Sequence, residues 1–253
     1  MLHLDALELG FGDAPPVLAG LQVTLAAGAA VGIIGAPSTG KSVLLKAIAG
    51  LVPPRGGRLV IDGVDLARAD ATAQRAHRKK VGMLFQNTAL FDSLTIFENV
   101  AFPLRRATPP PPEDELTRRV QAALDAVGLP KAGPLMPHAL SGGMQKRAGI
   151  ARATVARPRV RLFDEPTAGL DPVTAARILV LINTLHAQDP DGVTLVVSNE
   201  MDSLLAAFPR IWMLAGGGLH YDGASADLVA RRAPRDVLAF VRGELDLADE
   251  ETA

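Results

Sequence analysis

The residues with the clearest chemical purpose form one run, Gly35-Ala36-Pro37-Ser38-Thr39-Gly40-Lys41-Ser42. Its two glycines permit backbone angles and close approaches that a Cβ would obstruct. Successive N–H groups in such a loop, followed by a helix N-terminus, make an anion site. Lys41 places a cation at the β- and γ-phosphates of a nucleotide, and the Ser42 hydroxyl can ligate Mg²⁺. The pattern G-x-x-x-x-G-K-[ST] is that of a phosphate-cradling P-loop. By itself it leaves GTPases, kinases, helicases and transport ATPases open.

A second chemical feature is Val160-Arg161-Leu162-Phe163-Asp164-Glu165-Pro166, an apolar strand ending in adjacent carboxylates. Side chains alternate along a strand, so the two carboxylates point differently and can do different work. Asp164 suits the Mg²⁺ shell, and Glu165 can polarise an attacking water. Arg161 is a charge inside this otherwise apolar strand. A buried guanidinium without a partner is costly, so the sequence predicts a carboxylate beside it or an opening to solvent.

The elements that must position these groups follow from periodicity. Ala29–Ile34 is a continuous apolar run, as in a buried strand, and it leads into the loop. Val43, Leu44, Ala47 and Ile48 give the following helix its apolar face, with a stop near Gly50 before Pro53-Pro54. Alternation over Leu2–Leu9 and Leu21–Leu25 predicts half-buried antiparallel strands, with further short strands at Arg58–Ile61 and Val81–Phe85. After the four-proline run Pro109–Pro112, Leu116, Val120, Ala123, Leu124 and Val127 recur at helical spacing, and Gly128 offers a stop. Another helix is expected from Ser141 to about Arg157. Strands at Val160–Phe163, Val193–Ser198 and Ile211–Leu214, with a helix from Val173 to Ala187, restore strand–helix alternation and favour a mostly parallel sheet covered on both faces.

Composition narrows the class. The 253 residues carry 26 basic and 27 acidic side chains, a net charge of -1. That balance gives no electrostatic reason to expect a nucleic-acid partner. The cluster Arg75, His77, Arg78, Lys79, Lys80 is read as a solvated helix end. Cysteine is absent, which removes disulfides and thiol chemistry. The N-terminus lacks the basic start and apolar core of a signal peptide, and no run approaches the roughly 18 apolar residues of a membrane span. Work at a membrane would therefore need another subunit to hold the chain there.

Leu140-Ser141-Gly142-Gly143-Met144 resembles the LSGGQ signature of ABC-type ATPases, with Met144 in place of glutamine. The order along the chain also resembles that family: P-loop, Gln86, signature, Asp164-Glu165, then Gly169-Leu170-Asp171. The resemblance covers essentially the whole chain. It implies an α/β fold: a P-loop NTPase (RecA-like) core with an antiparallel β subdomain and an inserted α-helical subdomain. Residues 1–90 and 158–243 would form the core with its β subdomain, 91–157 the helical signature subdomain, and 244–253 a frayed acidic tail.

The resemblance further implies ATP with Mg²⁺ and a role for each matching residue. Phe11 would stack on adenine. Gly35 to Ser42, with Val43 at the exit, would hold the phosphates. Gln86 would contact Mg²⁺ and the water and relay to a membrane subunit. Asp164 and Ser42 would complete the metal shell, and Glu165 would act as the base. Ser141, Gly142, Gly143 and Met144 would meet the γ-phosphate held by a second copy, in a head-to-tail dimer spanned at its interface by Asp171. The position after Val196-Val197-Ser198 usually carries a switch histidine, and here it is Asn199. An amide donates a hydrogen bond but cannot become a cation, so intact binding with slower or differently regulated hydrolysis is expected.

Within the family, Leu84–Leu104, Val43, the methionine-ended signature and Pro234–Gly243 are similar to the Mla/MCE-associated ATPases of bacterial lipid transport. That likeness implies an integral permease dimer, an MCE-domain lipid-binding protein, and a place on the cytoplasmic face of the bacterial inner membrane.

Overall fold

The computed structural model describes residues 1–244; the expected fraying of the acidic tail falls almost wholly outside them. The strands are β1 (Leu2–Leu9), β2 (Leu18–Leu25), β3 (Ala30–Ile34), β4 (Gly56–Ile61), β5 (Val64–Asp65), β6 (Val81–Leu84), β7 (Val160–Asp164), β8 (Val193–Val197), β9 (Arg210–Ala215) and β10 (Gly218–Ala224). The helices are α1 (Lys41–Ile48), α2 (Ala71–Arg78), α3 (Ile96–Arg105), α4 (Glu113–Ala126), α5 (Gly142–Thr154), α6 (Pro172–Ala187), α7 (Met201–Ala207), α8 (Ser225–Val229) and α9 (Arg235–Val241).

Two sheets organise the core. One is antiparallel, in the order β2-β1-β4-β5; the other has six strands in the order β10-β9-β3-β8-β7-β6. Within the larger sheet β9, β3, β8, β7 and β6 run parallel, and β10 pairs antiparallel with β9. Every residue of β3, β7 and β8 is buried, as interior strands of a doubly covered parallel sheet require. Their alternating side chains divide two apolar cores. Val31, Ile33, Leu162, Leu195 and Trp212 pack towards α1 and the small sheet. Ile34, Phe163, Val196 and Met213 pack towards helices that include α3, α4, α5 and α6.

The alternation of β1 is not continuous. Leu2 and Leu4, then Leu7 and Leu9, are the buried residues, and the register shifts between Leu4 and Leu7. Ala6, with φ 45°, is the extra residue of a bulge that lets the strand resume its apolar phase. The partner strand has glycine at the contact, where a Cβ on Gly57 would lie 2.2 Å from the Ala6 carbonyl.

The expected basic helix end is α2, with Arg75, Arg78, Lys79 and Lys80 exposed. His77 departs from that reading. It is 5% exposed, and its ring Nε2 donates to the Ile48 carbonyl at 2.8 Å, one of the carbonyls left open at the end of α1. Helix α5 stops at Thr154, short of the expected Arg157, because Arg157 turns to φ 50° ahead of Pro158.

Arg161 finds its predicted partner. Its side chain is 4% exposed, with Nη1 3.7 Å from Asp189 Oδ2. It also donates to the carbonyls of Leu185 and Asp189 at 3.2 and 2.8 Å. The strand thus keeps its charge by tying β7 to the end of α6.

Candidate functional site

Parallel strands deliver chemistry at their carboxyl ends, and here four of them converge. The loop Gly35–Gly40 leaves β3, Asp164 ends β7 with Glu165 following, Asn199 follows β8, and Gln86 lies two residues past β6. Because β8 lies between β3 and β7, the loop and the carboxylates share one rim of the sheet.

The loop's geometry depends on its residue types. Gly35 has φ 146°, Ser38 65° and Gly40 89°. A Cβ on Gly35 would meet the Leu214 carbonyl oxygen at 2.3 Å. Gly40 caps α1 with no side-chain hydrogen bond, so the first N–H groups of that helix are left to an anion. Lys41 folds back over the loop, its Nζ donating to the carbonyls of Gly35 at 2.7 Å and Ala36 at 2.6 Å. Thr39 braces the loop by donating to the Ala36 carbonyl at 2.9 Å.

Ser42 Oγ donates to Asp164 Oδ1 at 2.8 Å, across 122 residues of sequence. A hydroxyl and a carboxylate in contact beside a phosphate cradle match Mg²⁺, which takes one or two protein oxygens and fills its octahedron with phosphate and water. Asp164 is 4% exposed. Burial raises its pKa, opposed by the Ser42 hydroxyl, Lys46 and Lys41. Burial likewise raises Glu165, against Lys41, with neighbouring Asp164 adding to the rise. Lys41 is lowered by burial and supported by those same two carboxylates. A cation and two carboxylates held away from water fit a site that stabilises phosphate charge and accepts a proton.

Glu165 has φ 48°, a left-handed backbone that costs a non-glycine residue about 1–3 kcal/mol. Its N–H donates to the Val197 carbonyl at 3.0 Å. Beyond it, the Thr167 and Ser198 hydroxyls meet at 2.9 Å, buried between the ends of β7 and β8.

The remaining expected residues lie elsewhere. Ser141 caps α5, accepting from the Met144 N–H at 3.4 Å, and with Gly142 it is exposed. Gly143 abuts the start of α6, its would-be Cβ 3.3 Å from Thr174 Cγ2. Asp171 caps α6 by accepting from the Thr174 N–H at 3.0 Å. Among the described residues no hydrogen bond joins Ser141–Met144 to Gly35–Ser42. Phe11 is 56% exposed, and Gln86, Asn199 and Asp171 are also exposed.

Two polar residues to which the sequence reading gave no role of their own are built into this region. Asn99, fully buried, accepts from the Phe91 N–H and donates to the carbonyls of Phe91, Leu94 and Thr95. It thereby fixes the segment between Gln86 and α3. Lys146, 7% exposed, reaches from α5 to the Gln86 carbonyl and, at 3.4 Å, to that of Glu165. Its signal lay in spacing: Lys146, Gly149, Ile150 and Ala153 share the buried face of α5, an unusual address for an ammonium.

Comparison with known proteins agrees with this geometry. Residues 18–168 match the family model described as ABC transporter. The methionine import ATP-binding protein MetN of Caulobacter vibrioides is 38% identical over 90% of this chain and 68% of its own length. The intermembrane phospholipid transport system ATP-binding protein MlaF of Haemophilus influenzae is 37% identical over 89% of this chain and 84% of its own. Among solved structures, the ATP-binding cassette MJ0796, a dimer in a post-hydrolysis state bound to ADP and Pi, superposes with a TM-score of 0.80 at 28% identity, covering 89% of this chain and 99% of that one. The chain belongs to the ABC transporter family and is the ATP-binding, Mg²⁺-dependent ATPase subunit of a bacterial ABC transporter.

Proposed function

We propose that this subunit powers phospholipid transport by an Mla/MCE-type complex. It would work on the cytoplasmic face of the inner membrane with a permease dimer and an MCE-domain lipid-binding protein. The supporting observation is the segment Leu84–Leu104, which resembles that branch and which Asn99 holds in place. Val43 and Met144 agree with it.

The same segment walls a groove of about 930 Å³ whose lining includes Leu51, Phe85, Phe91 and Phe102. Arg75, Arg78, Lys79, Arg106 and Arg152 line it, with no acidic residue among its described lining. Its chemistry suits a permease helix that is apolar on one face and acidic at its flanks. No helix among the described residues is long and apolar enough to cross a membrane, which accords with a need for such docking.

In this reading two copies pair head to tail. The loop Gly35–Ser42 holds the phosphates of ATP, Phe11 stacks on adenine, and Ser141, Gly142, Gly143 and Met144 of one copy cover the γ-phosphate held by the other. Ser42, Asp164 and Gln86 hold Mg²⁺, which supplies charge neutralisation at the phosphate oxygens. Glu165, its basicity raised by burial, takes the proton of the attacking water. Asn199 donates to the γ-phosphate without being able to carry charge. Asp171 spans the pair. Closure on ATP and reopening after hydrolysis bias the permease between its states.

A second reading, import of a small solute such as methionine, is favoured by the MetN relatives, which match as well as MlaF. Gentle detergent extraction and affinity purification of the tagged chain discriminate. Recovery of an MCE-domain protein with the permease supports lipid transport. Recovery of a permease with a solute-binding protein and no MCE domain overturns it.

A further inference from the structure

Lys146 has no role in the chemistry above, yet its position is difficult to explain by packing. The side chain is 93% buried on the apolar face of α5. Among the described residues no carboxylate lies within ion-pair distance of it; its named partners are two backbone carbonyls, those of Gln86 and Glu165. A methionine would fill the same space without placing an ammonium out of water. Those two carbonyls belong to the residues that the proposed function needs most accurately placed, and they come from separate segments, one after β6 and one after β7.

Lys146 is also close to the signature. It lies four positions after Gly142, the first residue of α5, or about 6 Å along a rigid helix. Any displacement of Ser141–Gly143 therefore moves the ammonium almost as much. Glu165 is susceptible to that movement, because its left-handed backbone persists only where surrounding contacts impose it. The peptide on its N-terminal side is held by Val197. The carbonyl on its C-terminal side accepts from the Ala168 N–H at 3.2 Å and from Lys146 at 3.4 Å, the latter being its link to α5.

We propose that Lys146 is a positioning residue which ties the signature end of α5 to the backbones of Gln86 and Glu165, so that engagement of the signature sets the placement of the catalytic carboxylate. This rests on the reading of Glu165 as the base. The ammonium does not touch ATP. It transmits position through hydrogen bonds to two carbonyls, and a second cation with several donors can substitute for it.

The test compares ATP turnover of the purified full chain with Mg²⁺ for wild type, Lys146→Met, Lys146→Arg, Glu165→Gln and the double variant Lys146→Met/Glu165→Gln, with nucleotide affinity measured on each by a fluorescent ATP analogue. Loss of one charge-assisted hydrogen bond in the transition state lowers kcat roughly tenfold or more. Lys146→Met is expected to show that fall with nucleotide affinity within about twofold of wild type, a split that general destabilisation would not produce. Lys146→Arg is expected to recover about half the wild-type rate or more. In the Glu165→Gln background the methionine is expected to add less than about twofold, because its effect runs through the missing base. Should Lys146→Met fail to fold, Lys146→Gln, which keeps a neutral donor, is read by the same criteria. A kcat within about twofold of wild type, or a loss carried in full into the Glu165→Gln background, overturns the proposal while leaving Glu165 as base. A Glu165→Gln rate equal to wild type removes the site reading itself and this proposal with it.

Discussion

Gly35→Ala probes the phosphate loop at its tightest point. Gly35 sits at φ 146°, and a methyl there would lie 2.3 Å from the Leu214 carbonyl oxygen and 3.0 Å from Thr39 Oγ1. Leu214 belongs to β9, which pairs with β3 on one side and β10 on the other, so the sheet cannot withdraw. An ordinary carbon–oxygen contact needs about 1 Å more, and the loop must supply it. The disallowed angle adds strain of about 1–3 kcal/mol. For a domain of this size each kcal/mol lowers the melting temperature by roughly 2–4 °C, so a fall of about 2–12 °C is expected. A displacement of about 1 Å in a group that positions a substrate is enough to weaken its effect up to about a hundredfold. ATP affinity by calorimetry should accordingly drop about tenfold or more in the variant that remains folded. An unchanged melting temperature together with ATP affinity within about twofold of wild type would refute the claim that β9 fixes the loop.

Three further outcomes follow from the same geometry. Ser42→Ala removes the hydroxyl that touches Asp164; half-maximal turnover should then require several-fold more Mg²⁺, read from a Mg²⁺ titration at saturating ATP. Asn199→His restores a group able to carry charge beside Glu165, and a rise in ATPase rate is expected; an equal rate would show that this position does not limit turnover. His77 is held below its ordinary value of 6.5, chiefly by burial, against its donation to Ile48. A histidine kept neutral in the fold contributes stability above about pH 6.5 that is lost as pH falls, since the unfolded chain then takes up the proton more readily. Urea midpoints between pH 7.5 and 5.5 should fall less steeply in His77→Gln than in wild type.

Legibility in the sequence followed how local each signal was. The P-loop, the paired carboxylates and the signature are runs of neighbouring residues, so their identity was readable without a fold. Strands β3, β7 and β8 were equally clear, because strands buried on both faces are uniformly apolar. Helix α3 was read only as part of a broadly helical stretch. Its start is marked by the capping box of Thr95 and Glu98, but Pro103 inside it obscures the pattern. The bulge at Ala6 was hidden because strict alternation and a phase slip leave similar compositions. His77 and Lys146 were misread or passed over for one reason: each is a polar residue satisfied by a carbonyl from a distant segment, 29 residues away for His77 and 60 for Lys146. Charge type alone suggests solvent in such cases, and only the fold supplies the partner.

The central claim is that the ATP site is completed by a second copy through Ser141–Met144. Light scattering of the Glu165→Gln chain, expected to bind ATP without consuming it, tests this most directly. With Mg²⁺ and ATP the particle is expected at twice the chain mass of 26.5 kDa, returning to the single-chain mass when Ser141→Arg is added. A Glu165→Gln chain that binds ATP yet stays at the single-chain mass would contradict the claim.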